Sequence, residues 1–180
     1  MWPTGGKPQT TEEEFSKTYD ELSDAIFRHC FLKLSDRDLA KDITQDTFKK
    51  TWSYLVDGKK IENMRAFLYK TAGNLVIDEY RKKKPLPLDK LMDEDEISLD
   101  KLNLSVDYRG QIESTIEVRR ISEIIQNLDP KYKEAVIMRH IDGFSVKEIA
   151  QILEDTENNV SVKIHRGLSQ IRKILEPEKK

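Results

Sequence analysis

Apolar residues recur along this chain at helical spacing, and the pattern is clearest between residues 114 and 175. Ile121, Ile124, Ile125 and Leu128 make one stripe, Tyr132, Ala135, Val136 and Ile141 a second, and Val146, Ile149, Ala150 and Leu153 a third. Each stripe follows its own helix start. Ser114 with Glu117 forms a capping box, Asp129-Pro130 sets a capping carboxylate before a proline suited to a first turn, and Ser145 with Glu148 repeats the box. Asp142-Gly143 ends the second predicted helix, because glycine accepts the left-handed conformation found just past a helix end. A polar turn, Glu154 to Thr156, leads into Val160, Ile164, Leu168, Ile171 and Leu175, five positions on one face that are expected to look into the core.

The last two of these helices have helix-turn-helix spacing. On the outer face of the final one, Asn158, Ser161, Val162, His165 and Arg166 can donate, accept and make apolar contact with base edges, which suits a helix laid in a major groove. The same pattern also fits a small helical bundle with a solvated polar face.

The N-terminal half follows the same grammar. Thr11 and Glu14 make a capping box before Phe15, Tyr19, Leu22 and Ile26. Ser35 with Asp38 is read as opening a second helix carrying Leu39, Ile43, Phe48, Trp52 and Leu55, closed by Asp57-Gly58. A third helix is predicted over 64–83, with Met64, Leu68, Ala72 and Leu75 on one face. Pro85 and Pro87 stop it, and the acidic, poorly periodic residues that follow read as a linker. The expected fold is therefore all-α: two small helical domains joined by an acidic flexible linker, the C-terminal one a helix-turn-helix. The boundaries are a disordered lead at 1–10, domains at 11–84 and 114–176, and the linker at 85–113.

Composition narrows the function more than the fold. Of 180 residues, 36% are charged and 37% hydrophobic, no stretch is apolar enough to span a bilayer, and the first residues lack the order of a signal peptide. Membrane insertion is not expected, and the cytoplasm is the expected location. Cys30 is the one cysteine and lies on the apolar side of a helix, so it reads as core filling. His29, His140 and His165 share no metal-ligand spacing, and there is no phosphate loop or nucleophile elbow; no metal, no cofactor and no catalytic residue is expected. The net charge of -2 hides a basic run, Arg81, Lys82, Lys83 and Lys84, and an acidic one, Asp93 to Glu96, and local fields are what steer a polyanion.

Two polar stripes lie on the predicted N-terminal helices. Asp42, Gln45, Asp46 and Lys49 are spaced i, i+3, i+4 and i+7 and project from one side. Lys70, Asn74, Ile77 and Arg81, preceded by Arg65 and Tyr69, combine aromatic, amide and basic groups that suit unstacked bases and a phosphate backbone. Either stripe by itself is also what a solvated helix face looks like.

Taken together, DLAKDITQDTFKKTW at 38–52, MRAFLYKTAGNLVIDEYRKKK at 64–84 and LDPKYKEAVIMRHIDGFSVKEIAQIL at 128–153 resemble bacterial RNA polymerase sigma factors of the extracytoplasmic-function type. The resemblance runs from about residue 12 to 175, with three motifs in order. It implies a protein that binds core RNA polymerase, directs it to -35 and -10 promoter elements and assists strand opening. It implies that Asp42, Gln45, Asp46 and Lys49 meet the clamp helices of the largest subunit. Lys59, Lys60, Asn63, Arg65, Tyr69, Lys70 and Asn74 would hold the single-stranded -10 element, and Arg81, Lys82 and Lys83 its phosphates. Asn158, Asn159, Ser161, Val162, Lys163, His165 and Arg166 would read the -35 duplex. The family commonly uses an anti-sigma factor, which makes one a further expected partner.

The turn departs from the family. Glu154 and Asp155 stand where a glycine and an apolar residue are usual, Asn158-Asn159 where Gly-Thr is usual, and Ser161 where a basic residue is usual. Two other readings stay open on sequence: a stand-alone helix-turn-helix regulator whose N-terminal domain senses a ligand or dimerises, and a sigma-like adaptor that has lost DNA recognition.

Overall fold

The computed structural model describes residues 9–83 and 115–176, all of its regular structure helical: α1 (Gln9–Leu34), α2 (Arg37–Val56), α3 (Met64–Lys83), α4 (Thr115–Gln126), α5 (Pro130–His140), α6 (Val146–Leu153) and α7 (Glu157–Leu175). The all-α expectation holds. The lead, the linker and the Ser114–Glu117 cap fall wholly or partly outside the described side chains.

Helices α1, α2 and α3 pack on one another, α1 and α2 through an aromatic seam. Phe15 lies 6.2 Å edge-on from Phe48 and 5.0 Å from Trp52, and Tyr19 meets Phe48 at 4.8 Å. On α2 the buried hydroxyls of Thr44, Thr47 and Thr51 each donate to the carbonyl four residues back, at 2.7–2.8 Å, so three polar side chains enter the core with their donors satisfied. Cys30 is fully buried, as its place on α1 predicts, and desolvation pushes its thiol up to about 11.

In the C-terminal set, Asp129 caps α5 through Lys131 N at 3.1 Å, with Pro130 in the first turn. Ser145 and Glu148 make the full reciprocal box at α6. Thr156 caps α7 by accepting from Asn159 N at 3.2 Å. α5 and α7 approach closely at Gly167, where an added Cβ would run into Val136 Cγ2 and stand 3.3 Å from Tyr132 Cβ.

Three local expectations are corrected. The cap of α2 is Asp36, which accepts from Leu39 N at 3.0 Å, while Ser35 is the left-handed residue (φ 53°) that closes α1. Thr11 starts nothing, because α1 already runs from Gln9. Of the five apolar stripe residues on α7 only Val160 and Ile164 are buried; Leu168 and Leu175 are 38% and 49% exposed, Leu168 beside an open apolar groove between α4, α5 and α7, and Leu175 past the Asp129–Gln170 contact at the start of α5.

The two sets of helices share a core. Ile26, Cys30, Leu68 and Ala72 from α1 and α3 lie in one continuous apolar cluster with Met138, Phe144 and Ile149. α1 packs against α4 and α5, and α3 packs against α6.

Candidate nucleic-acid interface and its cover

On α2 the stripe Asp42, Gln45, Asp46 and Lys49 is exposed along its whole length, because the opposite face carries the buried Ile43, Thr44, Thr47 and Phe48. Beyond its C-terminal end, Lys59 Nζ sits 4.8 Å above the Tyr54 ring, and Tyr54 lies 4.9 Å from Phe67 of α3. The loop is thereby held against the start of α3. Lys59 and Lys60 are open to solvent, whereas the Asn63 side chain accepts from Ala66 N at 3.0 Å and caps α3.

Further along α3, Asn74, Ile77, Arg81 and Lys82 are exposed. Arg81 pairs with Asp78 at 3.5 Å and Lys82 with Glu79 at 3.3 Å, exposed i, i+3 contacts that hold either cation weakly. Lys83 ends the helix, and its side chain is outside the described set.

The first turns of α3 are covered. Tyr69 is 1% exposed, with Phe144 edge-on at 4.8 Å and His29 at 5.0 Å. Its hydroxyl donates to Asp142 Oδ1 at 3.2 Å, and the other carboxylate oxygen lies 2.7 Å from His29 Nδ1. The Arg65 guanidinium stacks 4.0 Å over the Phe144 ring and donates to the Asp142 carbonyl. Burial raises the Tyr69 phenol first, and Asp142's charge and hydrogen bond raise it further, so the hydroxyl stays a donor. One turn on, Lys70 Nζ reaches Glu154 at 2.6 Å, and that hydrogen bond lowers the Glu154 carboxyl.

A second tie lies nearby. Lys33 meets Glu134 at 2.5 Å with little exposure on either side chain, and Gln126 donates to the Leu32 carbonyl at 2.7 Å. Burial alone would raise the Glu134 carboxyl; the Lys33 charge and hydrogen bond outweigh it, and the group is lowered.

On α7, Asn158, Asn159, Ser161, Val162, His165 and Arg166 are exposed and share the outer side. Lys163 is half-buried. Asp155 accepts from it at 2.7 Å and from Asn159 Nδ2 at 3.0 Å, so the carboxylate that departs from the family pattern ties down two of the expected base readers. The Lys163 hydrogen bond is the main reason Asp155 is lowered. Among the described residues no group of His, Cys, Asp and Glu could hold a metal, and no helix is long and apolar enough to cross a membrane.

Sequence reading missed His29, Asp142, Phe144 and Glu154 as members of this site. One signal was available: Phe144 is a large apolar side chain between a turn glycine and a helix cap, outside every stripe.

An amide-and-cation helix in one set and a helix-turn-helix in the other define a two-part nucleic-acid-binding protein of the helix-turn-helix class. Sigma-70 region 2 matches residues 18–85, and Sigma-70 region 4 matches residues 118–171. The chain is 29% identical over 171 residues to the extracytoplasmic-function RNA polymerase sigma factor SigW of Bacillus subtilis, covering 91% of this chain and 90% of that protein. It is 26% identical to RNA polymerase sigma factor SigV of the same organism, covering 92% and 93%. Among solved structures, the sigma factor RpoE in complex with the anti-sigma factor NepR from Bartonella quintana superposes with a TM-score of 0.72 at 20% identity, covering 93% of this chain and 99% of that one. CnrH in complex with the cytosolic domain of CnrY gives 0.66 at 20%, covering 93% and 91%. This chain belongs to the sigma-70 family and is a sigma factor of the extracytoplasmic-function type.

Proposed function

We propose that this sigma factor works as a two-point promoter reader, with each set of helices carrying one point. Residues 11–84 form the unit that binds core RNA polymerase and the -10 element, residues 114–176 the unit for the -35 element, and 85–113 the tether between them. The exposed α2 stripe, Asp42, Gln45, Asp46 and Lys49, docks on the clamp helices of the largest subunit. Lys59, Lys60, Arg65, Tyr69, Lys70 and Asn74 hold the non-template strand once it is unpaired, and Arg81, Lys82 and Lys83 contact its phosphates. Asn63, committed to capping α3, orders that loop and touches DNA through its neighbours.

Stacking unpaired bases contributes about 1–3 kcal/mol per base, which is how a protein without covalent chemistry favours the open strand. The outer face of α7 enters the -35 major groove through Asn158, Ser161, Val162, His165 and Arg166, with Asn159 and Lys163 steered by Asp155. The protein acts by binding, leaves polymerisation to the core enzyme, and works in the cytoplasm. The two solved relatives above were each captured with a protein partner, one of them an anti-sigma factor, and we propose a partner of that class for this chain too.

The observation that carries this reading is the presence of region 2 and region 4 segments, in order, on one chain. Reconstituted transcription tests it. Core polymerase with this protein is expected to initiate from a subset of a randomised promoter library, and the selected sequences should be asymmetric and two-part. No initiation above core alone on any library member would reject it.

A further inference from the structure

The first turns of the α3 face assigned above to single-stranded DNA are already occupied, and their occupant is the same chain. A base-stacking tyrosine must be open to a base, yet Tyr69 lies under Phe144 with its hydroxyl on Asp142. Arg65 and Lys70, two further members of that surface, are engaged by the Asp142–Phe144 segment and by Glu154. We propose that the turns on either side of α6 and DNA compete for one site: the aromatic ring of Phe144 and the carboxylates of Asp142 and Glu154 stand where a base and acidic phosphates would lie, and the free protein holds the Arg65–Lys70 part of its own -10 surface shut. The inference rests on the -10 role proposed for α3.

Three features make this contact a latch rather than ordinary core. The Asp142 side chain is fully buried, and its hydrogen-bond partners, His29 and Tyr69, both belong to the other set of helices. Removing that side chain therefore penalises the closed arrangement and leaves each set's own bonds in place. Glu154 occupies the left-handed position after α6 (φ 54°, ψ 42°), where glycine carries no penalty, and Lys70 across the interface is its side-chain partner. His29, inside the contact, has an Nε2 with no hydrogen-bond partner among the described residues. Water would satisfy that nitrogen in an opened form, so the closed form carries a cost that opening removes. A closed arrangement with this mixture of ties and costs is suited to being exchanged for another partner.

Competition has a quantitative signature. When only a fraction of molecules is open, apparent affinity for DNA falls by that fraction, and breaking the latch restores it. The full-length protein, labelled for distance measurement through Lys17→Cys and Lys173→Cys, both exposed, serves as the test. Native Cys30, fully buried with its thiol raised to about 11, does not compete for the label. Binding is measured with short fluorescent single-stranded DNA of randomised sequence.

Asp142→Ala is expected to lengthen the distance and to raise DNA affinity by about ten-fold or more, a gain abolished by adding Tyr69→Ala. Glu134→Leu, which breaks the separate Lys33 tie, should shift both readouts in the same direction, and it replaces Asp142→Ala as the deciding variant if that protein loses helicity. Unchanged distances in variants that keep their helicity would overturn the latch while leaving the -10 role intact. Longer distances with no gain in DNA binding would overturn the -10 role of α3, and the competition with it.

Discussion

Backbone conformation at single residues shows where this chain accepts local cost. Ser35 and Glu154 are the non-glycine residues with positive φ among those described, and they differ in what they receive in return. Glu154 is exposed and reaches Lys70. Ser35 is buried between α1 and α2, and its hydroxyl has no partner among the described residues. A non-glycine residue in the left-handed region costs roughly 1–2 kcal/mol, and a buried hydroxyl without a partner roughly 1–3 kcal/mol. Glycine would remove both at an entropic cost of about 0.5–1 kcal/mol. Ser35→Gly is therefore expected to stabilise the protein by about 1 kcal/mol, seen as a higher urea midpoint at unchanged slope. An unchanged or lower midpoint would show that the hydroxyl is satisfied in solution.

At the scale of the helix, the α2 stripe is a clean case for mutation. Its four residues are exposed, and the opposite face supplies the packing, so a change there leaves the fold alone. Asp46→Arg is expected to weaken binding to core polymerase about ten-fold or more without shifting the melting temperature, since reversing a charge at a complementary interface costs several kcal/mol in juxtaposed like charges. Titration of labelled protein with core enzyme measures it, and equal affinity for variant and parent would remove the stripe from the interface. Elements of this kind were the most legible part of the sequence. Caps at Asp129 and Ser145 and stops at Gly58 and Gly143 depend on neighbours within four residues, and they lie where the pattern puts them. Ser35 and Asp36 are both good capping residues, and only the backbone turn at Ser35 decides between them. The half-exposed face of α7 follows from how α4 and α5 lie against it, and the burial of Tyr69 follows from Asp142, 73 residues away, so periodicity along one helix contains neither.

The seam between the two sets of helices has a pH signature that belongs to the whole molecule. Lys133 sits at this seam beside Lys33, and burial first and then the Lys33 charge lower it from 10.5 to about 8. A lysine lowered on folding is protonated in both states below pH 8; between 8 and 10.5 the unfolded chain binds more protons, so stability rises with pH there. Cys30 acts in the opposite sense. Its thiol is raised from 9.0 to about 11, so the stability it contributes is complete below pH 9 and is lost as pH climbs toward 11. Tyr69 and Tyr80, both raised from 10.0 chiefly by burial, add to that loss above pH 10. The three windows overlap in a fixed order. Stability should rise by about 1 kcal/mol or less from pH 8 to 9, level off between 9 and 10 where Lys133 and Cys30 oppose each other, and fall above 10. At the acid end, the lowered Glu134 carboxyl contributes stability that is present above its unfolded value of 4.5 and is lost as pH drops below it. Urea unfolding of the full-length protein at half-unit intervals traces the curve. Lys133→Met, which keeps the aliphatic stem, is expected to abolish the rise between pH 8 and 9 and to leave the fall above 10 in place. A rise that persists in that variant would place its origin outside the Lys33–Lys133 seam.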